Sequence, residues 1–181
     1  LGDIDQEIEL AGGHAPILRR CVGQPYETQS PSRRSRNAFA MTLTELRAIA
    51  AAATMGLTKT HFFNVTGLDI NKKASGAYSS AYDAARLAAV FYNDHPDLFE
   101  LTARADVSID QNGKELKAVA TAVPLQSIPG FVAAKTGYTD LAGGNLVAIF
   151  DLEPGRTVVA AVLGSTREGR FSDVATLIET A

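Results

Sequence analysis

The sequence has 181 residues, 46% of them hydrophobic, and a formal net charge of −3 at pH 7. A chain of this length and apolar content can bury a sizeable core and fold as about one domain. The small negative charge argues against a nucleic-acid partner, and no apolar run approaches the roughly 20 residues that a membrane-spanning helix needs. The single cysteine, Cys21, excludes an internal disulfide.

Residues 1 to 40 are predicted to form an atypical N-terminal segment, either a linker or a disordered stretch. Acidic residues alternate from Asp3 to Glu9, but the glycine and the terminal glutamate of a calcium-binding loop are missing. The stretch from Gln24 to Asn37 is rich in polar residues, arginine and proline, which is typical of a solvated linker. We predict no metal site and no cofactor.

Apolar residues at helical spacing predict a helix from about Leu43 to Thr54. Thr42 and Glu45 have the capping-box spacing, in which two side chains pair with exposed amides at a helix start. This spacing places the beginning of the helix at the junction between the N-terminal segment and the rest of the chain.

A second helix is predicted to begin after Ser80, which has the capping-box spacing with Asp83, and to stop at His95-Pro96. A proline at that point disfavours helical backbone in the residue before it. The residues expected to share one face of this helix are Ala84, Leu87, Ala88 and Phe91.

Two hairpins are predicted in the second half of the chain. The first has strands at 107–109 and 116–119 around Asn112-Gly113, a pair that tolerates positive φ. The second joins the apolar runs 146–152 and 157–163 through a turn containing Pro154-Gly155. Because both runs are apolar on both faces, they are typical of central strands with helices on each side.

A last helix is predicted from Phe171 to Ala181, because its apolar residues recur at helical spacing. It would pack on the sheet that the second hairpin forms. The predicted fold class is therefore an α/β (α+β) sandwich, with an antiparallel sheet flanked by helices.

The triplet Lys135-Thr136-Gly137 lies between an apolar run, 131–134, and the second hairpin. On one strand edge, the ammonium of Lys135 and the hydroxyl of Thr136 can polarise a serine and hold a carboxylate. Gly137 has no side chain to block a peptide backbone that lies alongside. The triplet therefore predicts a site for a peptide ending in a carboxylate, although three residues alone also fit a surface strand with a solvated lysine.

The longer stretch from Lys135 to Leu146 resembles the D-alanyl-D-alanine carboxypeptidases, the low-molecular-weight penicillin-binding proteins of bacterial cell-wall metabolism. Three further blocks, 55–69, 78–88 and 164–171, are similar to segments of that family in the same order. The resemblance runs from about Ala48 to the end of the chain. It implies a penicillin-binding protein/β-lactamase-like fold, with residues 41–181 as the C-terminal part of a catalytic domain and the fold expected to be incomplete.

The resemblance also implies roles for the residues of the triplet and its neighbour. Lys135 would be the electrostatic partner of a serine centre, and Thr136 would donate its hydroxyl to the substrate carboxylate. Gly137 would give backbone clearance. The backbone N–H of Tyr138 would stabilise the negative charge that develops on the attacked carbonyl oxygen.

Arg170 is placed like a family arginine near the carboxylate pocket, and a guanidinium suits bidentate contact with a carboxylate. A surface arginine at a helix start is an equally good interpretation of this residue. The family's Ser-x-Asn element has one candidate here, Ser35-Arg36-Asn37, whose hydroxyl and amide would face the nucleophile and the substrate. The linker interpretation of that segment is favoured.

Enzymes of this family carry Ser-x-x-Lys, in which the serine attacks the peptide carbonyl and the lysine is a candidate base. No serine of this sequence has a lysine three positions later. The expected nucleophile would then lie upstream of Leu1 or have been lost in the region of residues 1–40.

Three functions are consistent with these observations. The first is a serine D,D-carboxypeptidase that cleaves the terminal D-alanine of peptidoglycan stem peptides through an acyl-enzyme and is inhibited by β-lactams. The second is a noncatalytic stem-peptide binder or gene fragment, and the third and weakest is a β-lactamase. The resemblance implies an extracytoplasmic location, with membrane association only through a segment that is not in this sequence.

Overall fold

The computed structural model describes residues 21–23, 43–104 and 106–181. In chain order the elements are β1 (Cys21–Gly23), α1 (Leu43–Thr54), β2 (His61–Phe62), β3 (Ala77–Tyr78), α2 (Ala81–Asp94), α3 (Pro96–Glu100), β4 (Asp106–Gln111), β5 (Lys114–Val119), β6 (Phe131–Thr139), β7 (Gly143–Glu153), β8 (Arg156–Ser165) and α4 (Gly169–Glu179). No helix in these ranges is long and apolar enough to cross a membrane.

The main sheet has the strand order β1-β8-β7-β6. The two long hairpin strands, β7 and β8, pair antiparallel and are central, which confirms the prediction for the apolar runs. Gly155 in the turn between them has φ 82°, a conformation that glycine adopts without steric cost. β1 adds to the far side of β8 as a parallel strand, a pairing that the sequence did not indicate.

Helices cover both faces of this sheet, as the apolar runs predicted. On one face, Ala85 and Ala89 of α2 pack against a cluster containing Ile149 and Val159. On the other face, α4 packs into a second cluster whose members include Leu146, Phe150, Val162, Val174 and Leu177. Full burial of such side chains stabilises the fold by about 1.5–3 kcal/mol each.

Helix α2 has the predicted bounds and start, but its capping box is only half formed. Ser80 Oγ accepts the backbone N–H of Asp83 at 3.1 Å. The carboxylate of Asp83 is buried and instead accepts the N–H of Lys59 and the hydroxyl of Thr60, each at 2.8 Å. Asp83 therefore anchors the segment before β2 to the helix.

The face of α2 that meets the sheet differs in part from the predicted one: Ala88 is buried and Ala84 packs half-buried against the same cluster, whereas Leu87 and Phe91 are not among its members. The buried apolar residues of the helix are Ala81, Ala85, Ala88 and Ala89. Phe91 is 41% exposed, and its ring contacts those of His95 and Phe99. Alanines allow the helix backbone to approach the strands closely, so the small side chains and not the large ones mark the contact face.

The other predicted elements are confirmed with small shifts in their bounds. Strands β4 and β5 pair across Asn112-Gly113, whose φ angles are 57° and 78°. Helix α1 has the predicted range, and the side chains of its capping pair, Thr42 and Glu45, lie outside the described part of the chain. The final helix begins at Gly169, two residues before the predicted start.

Candidate active site

Strand β6 carries the Lys-Thr-Gly triplet at one side of the main sheet. Within the described residues it pairs with no strand other than β7. Before the triplet, the backbone N–H of Ala134 donates to the hydroxyl of Thr102 at 3.2 Å, so the edge is open only beside the triplet. Lys135 is exposed, and its Nζ donates to the backbone carbonyl of Thr136. The triplet is thus placed on an unpaired strand edge, where an extended peptide can add by backbone hydrogen bonds.

The hydroxyl of Thr136 lies 2.5 Å from that of Thr121. Thr121 belongs to the connection between β5 and β6, and the two hydroxyls form a direct hydrogen bond. Sequence reasoning did not identify Thr121, because nothing in its local pattern links it to a residue fifteen positions later.

Gly137 is not required by the packing of the fold itself. A Cβ built there would meet only the Cβ of Asn145, at 3.8 Å, which is an ordinary contact. By contrast, a Cβ at Gly144 on the neighbouring strand would collide with the carbonyl oxygen of Thr166. The fold therefore leaves room for a side chain at Gly137.

Arg170 is buried at the start of α4, with 7% of its surface exposed, so it is not a surface arginine. Its Nη1 donates to the carbonyl oxygen of Gly137 at 2.7 Å, and a longer contact of 3.5 Å reaches the carbonyl oxygen of Asn145. The guanidinium also lies 4.8 Å from the ring centre of Phe171. Arg170 thus supports the backbone of the triplet through the carbonyl of Gly137.

Tyr138 follows the triplet and is 42% exposed. The guanidinium carbon of Arg167 lies 4.2 Å from the centre of its ring, which is the geometry of a cation–π contact. Sequence reasoning did not identify Arg167 either. It lies three residues before Arg170 and is exposed.

A cleft of about 470 Å³ opens between the edge of β6 and the start of α4. Its lining residues are Thr121, Pro124, Thr136, Gly137, Tyr138, Arg167, Glu168, Arg170 and Phe171. A second cleft, of about 200 Å³, lies on the other side of Thr136 and reaches the β4–β5 hairpin. Thr121 and Thr136 line both clefts.

The far end of β6 is fixed by a carboxylate from a distant loop. Asp69 accepts the hydroxyl of Thr139 at 3.0 Å and the N–H of Leu141 at 3.3 Å. The loop that carries Asp69 is itself organised by Asn64, whose Oδ1 accepts the backbone N–H groups of Thr66 and Gly67. The residue that follows Gly137-Tyr138 is therefore held by a contact spanning seventy residues.

Residues 46–167 match the family described as D-alanyl-D-alanine carboxypeptidase. The chain belongs to this family. The D-alanyl-D-alanine carboxypeptidase DacB2 of Mycobacterium tuberculosis is 34% identical over 122 residues, which are 66% of this chain and 40% of that protein. The D-alanyl-D-alanine carboxypeptidase DacA of Escherichia coli is 32% identical over 125 residues, which are 66% of this chain and 28% of that protein. The chain spans less than half the length of these curated relatives.

Solved structures of carboxypeptidases and penicillin-binding proteins share this fold. Penicillin-Binding Protein D2 of Listeria monocytogenes, in its ampicillin-bound form, matches with a TM-score of 0.66 and 31% identity, over 75% of this chain and 54% of that chain. The D-alanyl-D-alanine carboxypeptidase of M. tuberculosis H37Rv matches with a TM-score of 0.64 and 31% identity, over 75% and 52%. These matches confirm the predicted penicillin-binding protein fold, of which this chain holds a part.

The residues predicted for the carboxypeptidase site are only partly within the described ranges. The structure places four of them, Lys135 to Tyr138, in succession on β6. Arg170 is buried, contacts the carbonyl of Gly137 and lines the same cleft as Thr136. The Ser-x-Asn candidate at residues 35 and 37 lies outside the described residues. In the ranges that the structure describes, no three His, Cys, Asp or Glu side chains are grouped so that they could hold a metal ion.

Proposed function

We propose that this chain is the substrate-recognition part of a serine-type D-Ala-D-Ala carboxypeptidase. A peptidoglycan stem peptide would lie along the open edge of β6, with its terminal carboxylate in the larger cleft. The observation that carries this proposal is the open triplet edge, which has a glycine that the packing of the fold does not require and a buried arginine bonded to the carbonyl of that glycine.

The proposed roles follow the chemistry of the groups on that edge. The hydroxyl of Thr136 donates to the terminal carboxylate, and the ammonium of Lys135 stabilises negative charge at the reacting centre. The backbone N–H of Tyr138 donates to the oxygen of the attacked carbonyl as its negative charge grows. Gly137 leaves room for the substrate backbone, so the peptide and β6 approach to hydrogen-bonding distance.

Acyl transfer in the whole protein needs a serine nucleophile that the 181 residues do not supply as Ser-x-x-Lys. In the proposed reaction, a serine oxygen attacks the carbonyl of the penultimate D-alanine and the terminal D-alanine leaves as a free amine. Water then hydrolyses the acyl-enzyme. A β-lactam would react with the same serine and act as an inhibitor.

Mass spectrometry and a binding assay on the same sample test this proposal. We expect no change in intact mass after exposure of the folded chain to benzylpenicillin, but reversible binding of a tripeptide ending in D-Ala-D-Ala. The matching peptide ending in L-Ala-L-Ala is the control ligand. A covalent adduct would contradict the assignment of the nucleophile outside these residues, and failure to bind the D-peptide would contradict the recognition role.

A second candidate is a noncatalytic stem-peptide binder, which is favoured by the same lack of Ser-x-x-Lys. The two candidates differ in turnover and not in binding. Release of D-alanine from the tripeptide by the complete gene product would support the enzyme, whereas binding without release would support the noncatalytic protein. A β-lactamase ranks below both.

We also propose an extracytoplasmic location, because peptidoglycan, the proposed substrate, lies outside the cytoplasmic membrane. Peptidoglycan stem peptides and β-lactams would be the partners. No nucleic-acid partner and no cofactor is proposed.

A further inference from the structure

We infer that Thr102 fixes where a bound peptide must end, because its hydroxyl occupies the edge of β6 immediately before the triplet. The inference rests on the proposed function and deepens it. By closing the edge at this point, Thr102 makes the site accept the last residue of a peptide and exclude an internal segment. Thr102 is therefore a specificity-determining residue that takes no part in the reaction itself.

The backbone N–H of Ala134 is directed away from β7, because it donates to the hydroxyl of Thr102 at 3.2 Å. In an antiparallel pair, residues bonded to the partner strand alternate with residues whose N–H and C=O groups face the opposite edge. Strand β6 keeps one register with β7 through this stretch. The N–H groups of Thr136 and Tyr138 therefore face the same edge as that of Ala134. Thr102, Ala134 and Thr136 also line the same smaller cleft.

Thr102 is held in this place by the segment around it. It lies in the turn 101–103, which follows α3, and its hydroxyl donates to the carbonyl oxygen of Phe99 at 2.6 Å. Phe99 is buried in the cluster that α2 forms with the sheet. At the end of the turn, the side-chain amide of Gln126 donates to the carbonyl oxygen of Ala103 at 2.7 Å. The position of the Thr102 hydroxyl is thus set by the fold and not by a ligand.

The proposed contacts give the direction of the peptide along β6. The attacked carbonyl, that of the penultimate residue, lies at the N–H of Tyr138, and the terminal carboxylate lies at the hydroxyl of Thr136. The peptide therefore runs toward Ala134, antiparallel to β6. One more residue would advance the peptide by about 3.3 Å along the edge. There Thr102 already occupies the N–H that a longer strand needs, so an internal segment must displace this contact or turn away from the sheet.

Two ligands of equal charge test the inference. One is the tripeptide ending in D-Ala-D-Ala, and the other is the same peptide extended by a C-terminal glycine, so both end in a carboxylate. We expect the unmodified chain to bind the shorter peptide about tenfold or more tightly, because the extension finds no free edge. Equal affinities, or tighter binding of the longer peptide, would overturn the inference while leaving the recognition site intact. Failure to bind either peptide would overturn both the inference and the proposed function.

Variants of Thr102 show whether the preference depends on this residue. Thr102→Ala removes the acceptor at Ala134 and clears space along the edge, so the preference for the shorter peptide should fall to about threefold or less. Thr102→Ser is the matched control, since it keeps the hydroxyl and should keep the preference. An undiminished preference in Thr102→Ala, or its loss in Thr102→Ser, would overturn the assignment of Thr102.

Hydrogen exchange at backbone amides gives a readout that needs no variant. When the tripeptide binds the unmodified chain, the N–H groups of Thr136 and Tyr138 should exchange about tenfold or more slowly, while that of Ala134 should keep its unliganded rate. If exchange at Ala134 slowed as much as exchange at Thr136, the peptide would pair with β6 beyond the triplet. That result would also overturn the inference.

Discussion

Nη1 of Arg170 lies 2.7 Å from the carbonyl oxygen of Gly137, so a buried guanidinium and the glycine of the open edge form one hydrogen-bonded unit. Gly137 has no side chain with which to fix its own position. The helix that carries Arg170 packs on the sheet and supplies this support. The backbone of the triplet is therefore fixed by a residue that the core holds in place.

Replacing Arg170 by Met is expected to lower the free energy of unfolding by about 1–2 kcal/mol. The loss of a charged donor to Gly137 costs more than is gained by removing the unpartnered Nε, and the length of Met limits any cavity. Urea denaturation measures the change. As the control, Arg47→Met on the exposed face of α1 should change the free energy of unfolding by no more than about 0.5 kcal/mol. If Arg170→Met were as stable as the unmodified chain, Arg170 would not support the backbone at Gly137.

Gly137→Ala is expected to leave stability unchanged within about 0.5 kcal/mol, because the new methyl group meets only Asn145 at an ordinary distance. Binding of the D-Ala-D-Ala tripeptide should weaken by about tenfold or more, since the methyl group would keep the peptide from the strand edge. Thermal unfolding and calorimetric titration measure the two effects.

Gly144→Ala is the matched control for that variant. Its methyl group would collide with the Thr166 carbonyl oxygen, so we expect a loss of about 1–3 kcal/mol in stability. If Gly137→Ala were destabilised as much as Gly144→Ala, the space at Gly137 would be a requirement of folding and not of binding.

Asp69→Ala should destabilise the chain by about 1–2 kcal/mol, because Thr139 and the N–H of Leu141 lose their acceptor. Asp140 lies between Thr139 and Leu141 and is exposed. Asp140→Ala therefore removes an equal charge without removing these hydrogen bonds. Chemical denaturation of both variants gives the comparison. Equal stability of the two variants would show that the carboxylate of Asp69 does not hold this end of β6.

At the start of α2, Ser80→Ala should cost about 1 kcal/mol as a lost helix cap. Asp83→Ala should cost more, about 2–3 kcal/mol, because it leaves the N–H of Lys59 and the hydroxyl of Thr60 without their acceptor in a buried site. Denaturation midpoints show which of the two variants loses more stability. If Ser80→Ala lost more, the helix cap would contribute more to stability than the hydrogen bonds of the Asp83 carboxylate.

The sequence was sufficient for the features that depend on local pattern. The apolar runs of β7 and β8, the turn at Pro154-Gly155 and the bounds of α2 were all predictable from periodicity and turn chemistry. The Lys135 triplet was predictable because its residues are adjacent, so one strand is enough to bring them together.

The remaining features depend on packing between distant segments. The partners of Thr136, Thr139 and Gly137 come from residues 121, 69 and 170, and no local spacing encodes those contacts. The buried face of α2 was also unpredictable from hydrophobicity, because alanine matters there for its small size. Helix propensity and apolar content do not show whether a helix packs on a sheet through small side chains or through large ones.

Peptide recognition by the open edge of β6 is tested by a nuclear magnetic resonance titration of the folded chain with the D-Ala-D-Ala tripeptide, followed at backbone amides. We expect saturable shifts at Thr136, Gly137 and Tyr138, with smaller changes at Thr121, which lines the same cleft. The L-Ala-L-Ala peptide should leave these amides unmoved. Saturable shifts confined to other parts of the chain, or none at all, would contradict the claim that the open edge of β6 recognises the peptide.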